Sequence, residues 1–510
     1  MAESRMEKAK KNVITSVMQN ALSILLIFIS RVIFVRILDA SYLGINGLFT
    51  GILNILSLAD LGMATAMMYS LYKPIAEEDT KKITALILFF KKVYLAIAFA
   101  ILVIGFAVLP FLDQIVKLEE AIPHLAWYYI LALLNVVCSY SFTYRTTMFS
   151  ADQKSYILSK YIMIFRTITF TSQIIVLLIF KNYFLYLLVE LIVKFIGNLY
   201  QNYIAVKTYP YLKGNSHELA QGEKKRIWRD VKATFLYRIA GTVQSNTDNI
   251  LISVFVGTIF VGYYSNYAMV ITGIASILSL VFTSIKSGVG NLLASEGTSQ
   301  KDRRFLFEVL DLVNYWAVSF CSICCVCLFQ DFIEIFFGEK YILNLFVVVM
   351  IVLNFYTSNI RQVIWVYRET SGIFHETRYI TAVSATINLV LSLLFGYIWG
   401  MTGIVAATVI ARMVYAWWKE PMILYSKLFG ESAGKYYFSY IKQVCLCIFS
   451  CIVTYTICHL FPKENVTAHF IWSILVCIVI PNVILYVCYF KEPEFDYMWK
   501  RLKVNRLFKE

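Results

Sequence analysis

Asn12-Val-Ile-Thr-Ser-Val-Met-Gln-Asn-Ala-Leu-Ser-Ile-Leu-Leu-Ile-Phe-Ile-Ser-Arg-Val-Ile-Phe-Val-Arg-Ile-Leu-Asp-Ala-Ser-Tyr-Leu-Gly44 decides how the rest of the chain is read. Its apolar run from Val13 to Leu38 exceeds the roughly 20 residues that cross a bilayer as a helix. The chain then turns over Asp39 to Gly44 and returns through a second apolar run to Tyr72. Within the first run, Ser16, Gln19, Asn20, Ser23, Ser30 and Arg31 recur at helical spacings, which gathers them on one face. Burying an unpaired polar group costs roughly 2 to 7 kcal/mol. That face is therefore expected to line protein or water while the opposite face meets lipid.

The same pattern continues along the chain. Of 510 residues, 59% are hydrophobic and 15% charged, a composition that excludes an ordinary soluble enzyme and predicts an all-α polytopic membrane protein. The net charge of +14 does not point to nucleic acid, because the Lys and Arg residues fall mainly in short connectors between apolar runs and no basic soluble domain accompanies them. Cys321, Cys324, Cys325 and Cys327 have a C-x-x-C spacing but sit in an apolar stretch without His or carboxylate neighbours, and read as small packing residues, so no metal site is expected. The 35 Tyr and 38 Phe suit interfacial belts.

Fourteen spans follow from hydropathy, near 13–37, 44–71, 89–111, 122–147, 155–180, 183–206, 233–256, 261–290, 305–328, 342–367, 375–399, 402–426, 437–460 and 469–490. They are grouped as an N-lobe of six spans over 1–206, a polar connector over 207–232, a C-lobe of six over 233–430, and two further spans with a basic tail over 431–510. Basic residues collect in alternate connectors, at Lys73, Lys81 and Lys82, at Lys154 and Lys160, at Lys224-Lys225-Arg226, and at Lys301, Arg303 and Arg304. The bias of cytoplasmic loops toward Lys and Arg then places both termini in the cytoplasm. The halves also echo one another: Gly44 corresponds to Gly262, and Ile52-Leu-Asn-Ile-Leu-Ser-Leu58 to Ile274-Ala-Ser-Ile-Leu-Ser-Leu280. Transporters are commonly built from such repeats around a central site.

A charged side chain at the centre of a span costs roughly 2.5 to 3.5 kcal/mol on insertion scales, so each one requires a reason. Arg31, Arg166, Lys194, Arg238 and Arg412 are the central cations; Asp60, Glu190, Asp248 and Asp311 are the central acids. Glu190 and Lys194, four apart, read as an intrahelical pair. Arg361, Arg145, Arg36 and Lys286 lie near span ends, where snorkelling would suffice. Arg31, Arg166, Arg238 and Arg412 are the candidates to line a cavity and bind an anionic substrate. Gln19, Asn20, Ser23, Thr242, Ser245 and Asn249 are the candidate neutral lining, and Asp60 and Asp248 the candidates to hold a coupling cation, Na+ or a proton. No Walker A sequence is present: Gly430 to Lys435 is one residue short and is followed by Tyr436.

Arg36-Ile-Leu-Asp-Ala-Ser-Tyr-Leu-Gly44, Ala59-Asp-Leu-Gly-Met63, Asp248-Asn-Ile-Leu-Ile-Ser253 and Ile387-Asn-Leu-Val-Leu-Ser392, with Gly403-Ile-Val-Ala-Ala407, resemble segments of bacterial polysaccharide repeat-unit flippases. These belong to the multidrug, oligosaccharidyl-lipid and polysaccharide exporter superfamily. The resemblance implies a non-enzymatic transporter without a cofactor, in the bacterial cytoplasmic membrane. Its substrate would be an undecaprenyl-diphosphate-linked oligosaccharide, moved from the inner to the outer leaflet by alternating access, for surface polysaccharides such as capsule, exopolysaccharide or O-antigen. Membrane lipid and glycan polymerase machinery would be its other partners. Two alternatives stand beside it: a multidrug or cation antiporter of the same superfamily, which would favour an acidic cavity, and a membrane glycan polymerase or ligase, which short outer loops disfavour.

Overall fold

A computed structural model of the chain describes residues 5–57, 63–118, 122–214, 219–294, 299–373 and 376–507, and every regular element among them is helical. In order these are α1 (Arg5–Ile37), α2 (Ala40–Leu56), α3 (Met63–Ala76), α4 (Thr80–Val108), the single turn α5 (Leu112–Ile115), α6 (Leu125–Ala151), α7 (Ser155–Phe180), α8 (Tyr183–Thr208), α9 (Gln221–Phe255), α10 (Thr258–Ala294), α11 (Gln300–Phe336), α12 (Leu345–Asn359), α13 (Gln362–Thr370), α14 (Arg378–Ala411), α15 (Trp417–Leu424), α16 (Gly434–Cys458), α17 (Val466–Tyr489) and α18 (Pro493–Leu507). Among the described residues, eleven continuous helical stretches are long and apolar enough to cross a membrane. The protein is a multi-pass, all-α membrane protein.

One of those stretches, Tyr379–Phe429, is two spans. Gly400 has φ 58° and ψ −134°, outside helical geometry and readily accessible only without a Cβ. On either side of it the arms run back along each other. Asn388 Nδ2 donates to Thr408 Oγ1 at 2.8 Å and Ser384 Oγ to the Ala411 carbonyl at 3.4 Å. A Cβ on Gly403 would lie 2.1 Å from the Phe395 carbonyl oxygen, so the arms close to backbone contact there. The second arm continues through π-helical turns at Arg412–Ala416 and Tyr425–Phe429, which flank α15.

By contacts the chain divides into two compact units, Met1–Ser265 and Asn266–Glu510. The division falls past the connector at 207–232, and two features account for it. First, most of that connector is ordered helix. After a 3-10 turn at Pro210–Lys213, α9 begins at Gln221, and its Glu223 pairs with Lys82 of α4 at 2.9 Å. Second, α2 presents Gly44, Gly47 and Gly51 to α9 and the start of α10. A Cβ on Gly44 would meet the Thr258 carbonyl at 2.1 Å, and one on Gly51 would meet the Asn249 Cβ at 3.2 Å. Small residues let helices in a membrane approach to backbone distance, where dispersion and polar contacts hold them. Asn54 Nδ2 donates to Asn246 Oδ1 at 3.0 Å and Asn249 Nδ2 to the Gly47 carbonyl at 3.2 Å. Gly44 and Gly262, matched by the sequence echo, touch: a Cβ on Gly262 would lie 2.9 Å from the Gly44 nitrogen.

The second unit is organised on α11. Asn314 on this helix donates to the carbonyls of Asn359 and Ile360 at 3.1 and 2.8 Å, satisfying acceptors freed where α12 stops and α13 begins. Tyr315 donates to the Gln443 carbonyl on α16 at 2.9 Å. Farther along, Ile323 and Cys327 pack with Cys458 of α16 and Val476 and Cys477 of α17.

Candidate functional site

The first unit holds a cavity of about 600 Å³ between α1, α2, α7 and α8. Its formation is local. Asn12 fixes the start of α1 against the start of α7, donating through Nδ2 to the Gln153 carbonyl and accepting the Tyr156 amide, both at 2.8 Å. The two helices therefore run side by side with the polar stripe of α1 facing α7. Toward the other end, Phe34, Tyr42, Tyr128, Tyr183 and Tyr186 form one aromatic cluster, with Phe34 and Tyr186 edge to face at 5.2 Å between ring centroids, Tyr128 and Tyr183 edge to face at 5.0 Å, and Tyr183 stacked on Tyr186. Phe34 and Tyr186 form part of the cavity wall.

Four charged residues line the space: Arg31 on α1, Arg166 on α7, and Glu190 and Lys194 on α8. Each is anchored by a neutral partner. Arg31 Nη1 donates to Ser265 Oγ at 3.2 Å, Arg166 Nη1 to Ser23 Oγ, and Lys194 Nζ to Asn135 Oδ1, while Glu190 accepts from Gln173 Nε2 at 3.1 Å. Glu190 and Lys194 form no ion pair with each other, contrary to the expectation from their i,i+4 spacing. Their heads turn to α7 and α6 instead. Positive charge thus exceeds negative charge on this wall, and neutral dipoles orient the guanidinium and ammonium groups without cancelling them. Such a wall can hold an anion by charge-assisted hydrogen bonds, bidentately where it is an arginine fork that meets phosphate oxygens.

The other predicted site residues are distributed as follows. Gln19 lines the cavity, Ser23 is buried beneath Arg166, and Asn20 is half-buried on α1. Asn249 is spent on the α2 contact. Asp248, on the same turn of α9, is 5% exposed and lies close enough to Tyr264 to couple to it electrostatically. Arg238, Thr242 and Ser245 belong to α9, but their side chains lie outside the described ones, and Asp60 lies wholly outside the described residues. Arg412 is in the second unit. Its Nη1 donates to the Asn354 carbonyl and Oδ1, both at 3.0 Å, and to Thr357 Oγ1 at 2.7 Å.

Sequence reasoning missed a second charged group. Arg361 and Arg368 on one side and Glu420 of α15 on the other are all at most 5% exposed. Glu420 pairs with Arg361 and, at 3.1 Å, with Arg368, and accepts from Trp365 Nε1 at 3.2 Å. Arg361 therefore does not snorkel. The available signal was the seven-residue separation of Arg361 and Arg368, two helical turns that bring them to one face. Lys286, by contrast, pairs with Glu369 in an exposed position, and Arg145 donates to Asn202 Oδ1 at 3.1 Å.

No protein-family model and no curated protein matches this sequence. Solved structures do match. The lipid II flippase MurJ in an inward closed conformation superposes with a TM-score of 0.67 at 14% identity, covering 93% of this chain and 98% of that one. A Vibrio cholerae MATE transporter, VcmN, gives 0.51 at 13% identity over 84% of this chain and 99% of its own. A MOP superfamily transporter from Pyrococcus furiosus, noted for a binding pocket of reverse polarity, gives 0.50 at 12% identity over 82% of this chain and 96% of its own. At these identities the likeness concerns backbone architecture, and this chain has the fold of the multidrug, oligosaccharidyl-lipid and polysaccharide exporter superfamily.

Proposed function

We propose that this protein is a transporter of that superfamily acting as a flippase for a polyprenyl-diphosphate-linked oligosaccharide. Its substrate would be the undecaprenyl-linked repeat unit of a surface polysaccharide, carried from the inner to the outer leaflet of a bacterial cytoplasmic membrane by alternating access. The observation that carries the reading is the excess of Arg31, Arg166 and Lys194 over Glu190 around one membrane-level cavity. A diphosphate and a string of hydroxyls cannot cross hydrocarbon unaided, whereas the prenyl tail can stay in lipid, so the protein must supply only a polar, cationic chamber. The fold shared with a lipid II flippase is in keeping with such a cargo. Arg238 and Arg412 remain in this reading as further diphosphate contacts, Asp60 and Asp248 as the carboxylates that would hold a coupling Na+ or proton, and both termini as cytoplasmic.

The test is delivery of lipid-linked glycan to the outer leaflet by cells that depend on this protein. Arg31→Glu combined with Arg166→Glu should abolish delivery at matched membrane abundance, and Arg→Lys at either position should retain part of it. Near-normal delivery by the double Glu variant would exclude the cationic-chamber reading. An antiporter of cationic drugs would instead gain from added negative charge, so drug efflux by the same variants separates that alternative. In vitro chain elongation of a lipid-linked glycan by the purified protein would favour a polymerase.

A further inference from the structure

Four turns beyond Asp311, α11 carries Cys327, whose neighbours are Cys458, the last residue of α16, and Cys477 in the middle of α17. Three separate helices thus each contribute one thiol to the same point. All three residues are buried, and their sulfur atoms lie within 4.8 Å of one another. None of the three is in a disulfide. In sequence these cysteines are 131 and 19 residues apart; Cys324, one turn before Cys327 on α11, also contacts the Cys477 thiol but is not among the three sulfurs that lie within 4.8 Å of one another.

We propose that Cys327, Cys458 and Cys477 form a three-coordinate site for a soft monovalent d10 cation, Cu(I) in a cell and Ag(I) as its surrogate. The donor set argues for this class of ion. Thiolate and thioether sulfur favours soft ions such as Cu(I), whereas zinc in structural sites takes four ligands in tetrahedral array. Among the described residues no fourth His, Cys, Asp or Glu ligand atom joins the three sulfurs. Charge balance points the same way, because an uncompensated ion in an apolar surrounding is costly. One thiol loses its proton, which leaves toward water, and the resulting thiolate together with two neutral thiols holds the monovalent ion with no net charge. A divalent ion would need a second thiolate to reach neutrality.

Polar groups at the ends of these helices would give the ion a way in. Cys458 ends its helix, and exposed His459 follows it directly. Asp331 stands one turn from Cys327 on α11, and His469 two turns from Cys477 on α17. Asp331 and His469 are bonded to each other, with Lys463 at 3.3 Å from Asp331. These nitrogen and oxygen groups lie between the helix ends and the thiols, where an incoming ion could exchange ligands stepwise. Once bound, the ion would clip α16 and α17 to α11.

The experiment uses the full-length protein purified in detergent under a phosphine reductant, loaded with Ag(I) and desalted in excess glutathione, which strips silver from isolated thiols. Wild type should keep one silver per chain and unfold at a higher temperature than the silver-free protein. Cys327→Ser, Cys458→Ser and Cys477→Ser should each lose the ion and the thermal shift, whereas Cys445→Ser with Cys488→Ser, which removes two exposed thiols, should keep both. Wild type that retains no silver, or a Cys477→Ser variant that retains it with an unchanged shift, would overturn the site. Should a serine variant fail to fold, the wild-type stoichiometry and shift still decide.

Discussion

The cavity charges of the first unit and the groups around Glu420 and Asp331 in the second are handled in opposite ways. Arg31, Arg166, Lys194 and Glu190 are held by a serine, a serine, an asparagine and a glutamine. Glu420 is instead locked between Arg361 and Arg368, and Asp331 between His469 and Lys463. A neutral partner fixes where a charged head points but leaves its field available to a ligand. An opposite charge removes that field and converts the group into a fastening. These ion groups of the second unit hold helices together, whereas the cavity of the first keeps its ions available; Arg412 and Asp311 of the second unit, held by Asn354 with Thr357 and by Gln443, follow the neutral-partner pattern.

The largest effect expected from this contrast is on the fastening. Glu420→Gln would leave two buried guanidinium groups around a neutral amide, and breaking a buried pair by removing one partner costs about 3 to 5 kcal/mol. The variant should be recovered in much lower yield as monodisperse protein and melt at a lower temperature. Replacing Arg361 with Gln in the same chain should restore part of that loss. A Glu420→Gln protein as stable as wild type would break the comparison.

Next in size is a purely steric effect. Gly403→Ala would drive a Cβ to 2.1 Å from the Phe395 carbonyl oxygen, a backbone atom that cannot rotate away. Over-filling a packed contact costs about 1 to 3 kcal/mol, so the hairpin arms around Gly400 should separate and the melting temperature should fall. Smaller still is Lys286→Gln. Its pair with Glu369 has side chains 41% and 38% exposed, and exposed pairs contribute about 0 to 1 kcal/mol. The variant should melt within error of wild type.

Much of the architecture was legible beforehand because hydropathy over twenty residues is a strong signal, and the chain reversal near Gly400 falls in a short break between predicted spans. What was illegible has physical causes. The run Gly222-Glu-Lys-Lys-Arg226 reads as a polar loop, yet Glu, Lys and Arg are good helix formers, and α9 simply continues out of its apolar part. In the cavity, Gln19 and Arg31 could be found because polar residues on an apolar helix announce a face. Glu190 and Lys194 were misread because i,i+4 spacing permits a pair without requiring one. The choice was made by Gln173 and Asn135, 17 and 59 residues away, positions that no local pattern connects.

The smallest stability effect belongs to the cavity itself, and it sharpens the contrast most. Arg31→Gln removes one charge-assisted bond to Ser265, worth roughly 1.5 to 3 kcal/mol net. It also removes the cost of holding an arginine at membrane depth, roughly 2.5 to 3.5 kcal/mol. The two nearly cancel, so the melting temperature should stay within error of wild type or rise slightly. Ser265 is not left stranded, because its hydroxyl also donates to the Gly262 carbonyl at 2.8 Å. Glycan delivery should nevertheless fall well below wild type, since the lost group is one the cavity presents to its ligand. Thermal unfolding of the purified variant, measured beside delivery in cells, reads the two separately. If Arg31→Gln unfolds as readily as Glu420→Gln, then Arg31 is a fastening like those of the second unit, and the distinction between the two sets of charges is lost.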